Sequence, residues 1–167
     1  FWWALLGRVE SIRGWRLQDI QVLYGVVAAG VGLAATVGGG VRHLGRFIED
    51  GSLDTLLTQP RHVLGYAAAS RMQASGIGDV IFGVCFIAWA GHLTWYQWPA
   101  VAVAVLASAV VFVATGVAYF SAGFWVGASE TVARQLWELV LTFSLYPEPL
   151  FGSGLRVILF TIVPAGF

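Results

Sequence analysis

Lysine is absent from the 167 residues, and with it the phosphate-gripping lysine of a GxxxxGK[ST] loop, so the chain has no Walker-type ATP site of its own. Cysteine occurs once, as Cys85 in an apolar run; without a second thiol it forms neither a disulfide nor a CxxC metal site, and it reads as a small buried hydrophobe. Charge is scarce, at 11%, and nine arginines balance nine acids, so no basic field suggests nucleic acid as a partner. His43, His62 and His92 are dispersed and make no HxxxH or HxxE pattern, which argues against a metal site. No serine stands in a GxSxG setting and no glycine cluster follows a strand, so neither a hydrolytic constellation nor a bound cofactor is expected. The only methionine is Met72, and both ends fall inside apolar runs; the chain is expected to be a fragment of a longer protein, with no signal peptide in view.

What is present is hydrophobic surface: 58% of residues are apolar and the mean hydropathy is +0.78, values that exclude an ordinary soluble fold. Residues 20–41 carry no charge over 22 positions, roughly 33 Å of helix and enough to cross a bilayer core. Gly25/Ala29 and Ala28/Gly32 stand there at small-xxx-small spacing, which lets another helix approach closely and favours a packing face over a substrate path, while Gly38, Gly39 and Gly40 either continue it or instead fray or kink the end. Residues 80–129 are uncharged for 50 positions, too long for one crossing, and must fold back. The interruption is GHLTWYQWPA, where Trp95, Tyr96 and Trp98 form an interfacial cluster and Pro99 suits the first turn of a returning helix. The expected spans are 20–41, 63–90, 99–127 and 131–146, followed by a broken segment over 150–167 after Tyr146-Pro147-Glu148-Pro149 and interrupted by Pro164. Ser129 is a plausible cap for the fourth, which has Glu130, Arg134 and Glu138 at i, i+4 spacing.

Between the first two complete spans lies the one long polar run, EDGSLDTLLTQPRH, residues 49–62. Asp50-Gly51 supplies a turn, Ser52 an N-cap, Asp54 an acid in the first turn and Pro60 a stop, giving a helix over 52–59 with Leu53, Leu56 and Leu57 at i, i+3, i+4. So short a helix is held only by packing. Its leucines either lie in the lipid interface or insert into a groove on a cytosolic partner. The tight hairpin carries no arginine, whereas Arg61, Arg71 and Arg134 flank its spans, so the positive-inside rule puts residues 49–62 in the cytoplasm, against the opposing Arg8, Arg13 and Arg16 group.

Arg46-x-x-x-x-Gly51-x-Leu53-Asp54-x-x-Leu57-x-x-Pro60, then Arg71 with Gly78-Asp79-x-x-x-Gly83, resembles the permease subunits of bacterial ABC transporters of the type 2 exporter class, closest to their uncharacterised six-span group. Tyr146-Pro147, Leu155-Arg156 and Ile162-Val163-Pro164-Ala165-Gly166-Phe167 resemble that group's ending before its final span. The resemblance implies a multi-pass protein of the bacterial cytoplasmic membrane, an ABC ATPase subunit as partner, and a second permease chain completing a homo- or heterodimer around the translocation path. It also implies that Gly51, Leu53, Asp54, Leu56, Leu57 and Pro60 form a coupling helix that meets the ATPase. Glu49 and Asp50, where basic residues are common, and Gln59, where an arginine or lysine often stands, depart from the family pattern.

Four further residues are candidate intramembrane polar anchors: Arg71, Asp79, Arg134 and Glu138. Arg71 and Asp79, eight residues apart, are offset by about 80° around a helix and do not pair. Asp79 is expected to reach water or an arginine such as Arg46, and Glu138 to follow the same logic with Arg134. The expected whole is an all-α polytopic transmembrane bundle, the membrane subunit of an ATP-driven exporter. The rival is an ion-coupled carrier or membrane-embedded enzyme titrating Asp79 or Glu138.

Overall fold

A computed structural model of the chain describes residues 14–60, 62–91, 93–122, 130–147 and 150–161. Arg8, Arg13, Arg61, His92, Ser129, Glu148, Pro149 and the 162–167 ending lie outside the described residues, as do the side chains of Glu49 and Arg156. The described elements are helices: α1 (Leu17–Gly38), a 3₁₀ turn (Gly39–His43), α2 (Leu44–Glu49), α3 (Ser52–Leu57), α4 (Val63–Ala69), α5 (Ser75–Ala90), a second 3₁₀ turn (Trp95–Gln97), α6 (Trp98–Ser121), α7 (Glu130–Ser144) and α8 (Ser153–Thr161).

Small residues determine how the three long helices pack. A Cβ added to Gly25 would lie 2.8 Å from the Gly83 carbonyl oxygen, and one on Gly32 would lie 2.5 Å from that of Gly76, so α1 and α5 run antiparallel with their backbones nearly touching. Ala29 completes this seam, being fully buried against Gly83. On its other side α1 meets α6: Gly30 abuts Ser108, Gly38 abuts Val113 and Val41 packs on Gly116, an order that makes these two helices parallel. The long apolar side chains point the other way. Ile77, Ile81, Phe82 and Trp89 of α5 and Val103, Leu106 and Val110 of α6 are exposed, as expected of a surface that meets lipid. Cys85 lies on that outer surface of α5 and is exposed, not the buried hydrophobe its apolar surroundings suggested.

Two stretches among the described residues are long and apolar enough to cross a membrane, Leu17–Ile48 and Trp95–Ser121, while Ser75–Ala90 is apolar but shorter. The glycine triplet does not end the first of them. Gly38, Gly39 and Gly40 are buried, and a Cβ on Gly40 would collide with the Ala67 carbonyl of α4; the chain tightens into a 3₁₀ turn and continues into α2. The segment expected as one span over 63–90 is two helices, α4 and α5, parted at residues 70–74. No proline or glycine causes that break. The backbone N–H of Gln73 leaves its own helix to donate to the Ala35 carbonyl of α1 at 3.2 Å, so tertiary contact outweighs helical continuity.

At the far end, Gly91 caps α5 in the left-handed region at φ 71°. The Thr94 N–H and hydroxyl donate to Gln97 Oε1 at 2.8 and 2.9 Å, closing the turn into α6 with Pro99 in its first turn. Trp95 and Tyr96 stand out from this hairpin edge to face, 6.4 Å between ring centroids, in the manner of interfacial anchors. α7 holds Ala133, Trp137 and Val140 buried on one stripe. It ends at Ser144, three residues before the fully buried Pro147; Phe143 then meets Phe151 edge to face across the bend. At 15 residues α7 rises roughly 22 Å, less than a perpendicular crossing requires.

Candidate coupling site and the basic end of the bundle

The polar run after α2 is organised by one glycine. The Asp50 N–H donates to the Arg46 carbonyl at 2.8 Å and the Gly51 N–H to that of Ile48 at 3.3 Å, closing α2. Gly51 then adopts φ 68°, a left-handed conformation that costs other residues about 1 kcal/mol or more, and so turns the chain into α3. Gly51, and not Ser52, occupies the N-cap position; Ser52 is the first helical residue, and its hydroxyl donates back to the Phe47 carbonyl at 3.4 Å. The competing bond wins because a left-handed Gly51 already reverses the chain one residue earlier. The helix is six residues long and ends at Leu57, where the Thr58 hydroxyl donates to the Thr55 carbonyl at 2.8 Å and Pro60 follows.

The three leucines lie on one side of the helix but are unequally covered. Leu53 is buried at 6% exposure and belongs to the bundle core with Val41, Leu44 and Trp137, and Leu56 packs partly against the same core. Leu57 is 61% exposed. Asp54 is exposed too, at i, i+3 from Leu57, so the outward surface of α3 presents one acid and one leucine, with exposed Gly51 and Pro60 at its ends.

Beside this helix lies a basic end that no single stretch of sequence announces. Arg46 Nε donates to Glu130 Oε1 at 3.3 Å, and Arg134 Nη2 donates to the same oxygen at 2.7 Å. The first of these bonds ties α2, the element leading into α3, to the first turn of α7, and the second, within α7, holds Glu130 in place for it. The two arginine side chains are about half exposed, which keeps the stabilisation small while fixing the relative position of the two helices. Arg42 lies over the Trp137 ring, 5.3 Å from its centroid, and Trp137 in turn packs edge to face on Phe112. Together Arg42, His43, Arg46, Gln73, Arg134 and Glu138 line a cavity of about 350 Å³.

Of the four expected anchors, Arg134 and Glu138 face this cavity. Asp79 does not pair with Arg46, which is taken by Glu130; it is exposed and within electrostatic range of Arg42. Glu138 likewise does not hold Arg134, whose partner one turn earlier is Glu130. Arg71 is exposed at the same end, with its carbonyl against Gly39. Arg42, Trp137 and Glu130 as a cluster were missed. The available signal was the Arg42-His43-x-x-Arg46 run directly after an uncharged span, whereas nothing near Trp137 indicates that it lies beneath Arg42.

A family model described as ABC-2 family transporter protein matches residues 1–167. No curated protein and no solved structure matches the chain.

Proposed function

Because the chain belongs to the ABC-2 transporter family and is thereby a permease component of an ABC transporter, we propose that it exports its substrate with energy received from a separate ATPase subunit through residues 51–60. The observation that carries this reading is the two-sidedness of α3. A six-residue helix is too short to stand alone, yet Leu53 roots this one in the bundle core while Asp54 and Leu57 face outward. An outward leucine beside a carboxylate, on a helix fixed from behind, is a small docking surface for a groove with an apolar floor and a basic rim. The absence of lysine, and hence of a Walker-type loop, is consistent with ATP hydrolysis in the partner chain.

The described arginines also support an orientation. Arg42, Arg46, Arg71 and Arg134 gather at the end of the bundle that holds α3, and Arg16 alone stands at the start of α1. That end is cytoplasmic, in a bacterial inner membrane the chain crosses more than once. Closure of two ATPase subunits pushes α3; the Asp50-Gly51 turn passes the displacement to α2, and Arg46 passes it through Glu130 to α7. A second permease chain, identical or related, encloses the path with this one.

Copurification with the nucleotide-binding subunit tests the docking claim. Leu57→Asp and Asp54→Arg are each expected to reduce recovery of that subunit at least tenfold while the permease inserts normally. Unchanged recovery with both variants overturns the assignment of residues 51–60. A rival ion-coupled carrier would instead move substrate along a proton gradient without ATP and lose that activity in Asp79→Asn.

A further inference from the structure

We propose that the basic cavity at the α3 end binds the phosphate of an anionic glycerophospholipid, whose acyl chains lie in the apolar groove between α1, α4 and α6. The inference goes beyond the coupling reading and rests on it only in taking this end as cytoplasmic. Three observations converge. Arg42, Arg46 and Arg134, with Arg71 nearby, outnumber Glu130, Glu138 and Asp79, so the cavity is net positive and presents guanidinium forks suited to phosphate oxygens. Trp137 in the cavity wall is only 6% exposed, and its indole Nε1 is buried with no hydrogen-bond partner. An orphaned donor of this kind costs about 1–3 kcal/mol unless an acceptor reaches it.

The third observation concerns the surroundings. A groove of about 750 Å³, walled almost wholly by apolar side chains including Leu33, Val37, Leu64, Leu106 and Val110, runs along α6. Through Ala34 and Val113 it adjoins a small cleft beside Gly38 and Gly116, and through Arg42 and Trp137 that cleft adjoins the basic cavity. An apolar trough and a cationic pocket on the two sides of one narrow cleft, at the end of membrane helices, match an amphiphile with an anionic head. A free anion would leave the trough unused, and a purely apolar partner would leave the Arg42 guanidinium and the indole N–H without an acceptor. Basic pockets between membrane helices on the cytoplasmic side are suited to such headgroups.

The test uses the full permease with its ATPase subunit, purified and stripped of lipid in detergent, with thermal unfolding followed as lipid is returned. Phosphatidylglycerol is expected to raise the midpoint saturably where phosphatidylcholine does not. Arg42→Gln raises the half-saturating phosphatidylglycerol concentration about tenfold. Arg134→Gln, at a half-exposed site, provides a second variant should Arg42→Gln fail to fold, with the same direction expected. Val110→Trp, which fills the groove from its exposed side, raises it as well. Equal response to phosphatidylcholine, an equal response to inorganic phosphate alone, or an unaltered response in Val110→Trp overturns the proposal. So does efficient Val110→Cys cross-linking between two permease chains, which makes the groove a subunit interface. Leu57→Asp separates this inference from the coupling reading, since the detached permease is expected to keep its response to phosphatidylglycerol.

Discussion

Gly32→Ala is expected to destabilise the bundle by about 2 kcal/mol, while Gly78→Ala in α5 is neutral or stabilising. Alanine is the better helix former by about 1 kcal/mol, so propensity alone favours both changes. Their surroundings decide the sign. A Cβ on Gly78 meets nothing within 4 Å, whereas one on Gly32 would lie 2.5 Å from the Gly76 carbonyl oxygen and 2.8 Å from both Val80 N and Asp79 Cβ. Two of those atoms are backbone and cannot turn aside, so the α1 and α5 axes must separate along the whole seam. In a bilayer no hydrophobic force presses the parted helices together again, so the close backbone packing lost along the seam is not recovered elsewhere. Unfolding midpoints in mixed micelles measure both variants. Equal midpoints for the two would mean that the seam is not close-packed.

The same pair of glycines shows how far the sequence could be read. Uncharged runs of bilayer length locate α1 and α6, because the thickness of the hydrocarbon core sets a length that composition reveals directly. The small-residue spacing on α1 pointed to a close helix neighbour, and α5 is that neighbour. The break at residues 70–74 was illegible for a different reason: it depends on the Gln73 N–H reaching the Ala35 carbonyl, some forty positions away, and no local breaker marks it. In the polar run, Gly51, Asp54 and Pro60 signal a short helix by local chemistry. The division of its leucines into an inward Leu53 and an outward Leu57 follows only from where the bundle lies, which i, i+3, i+4 spacing cannot state. The basic cavity is further from reach still, since its walls come from Arg42, His43, Arg46, Gln73, Phe120 and one face of α7, and exist only once α2, α6 and α7 have met.

Trp137 is where those walls join, and two substitutions there separate its duties. Trp137→Ala is expected to cost about 3–5 kcal/mol, the usual loss for truncating a large buried aromatic. The ring fills the space beside Gly116, meets Phe112 edge to face at 5.9 Å and supports the Arg42 guanidinium, so its loss leaves a void and frees that arginine together. α7 then keeps the smaller buried side chains Ala133 and Val140 and the half-exposed Arg46–Glu130 bond, a weak hold on its own. Trp137→Phe behaves differently. It keeps most of the ring and removes the indole N–H that has no partner, so a lipid-free preparation is expected to unfold at the same temperature or slightly higher. If phosphatidylglycerol satisfies that N–H, its stabilising effect is smaller in Trp137→Phe than in the parent chain. A parent-like lipid response in Trp137→Phe, alongside a weakened one in Arg42→Gln, would assign the phosphate to the arginines and leave the indole a packing role only.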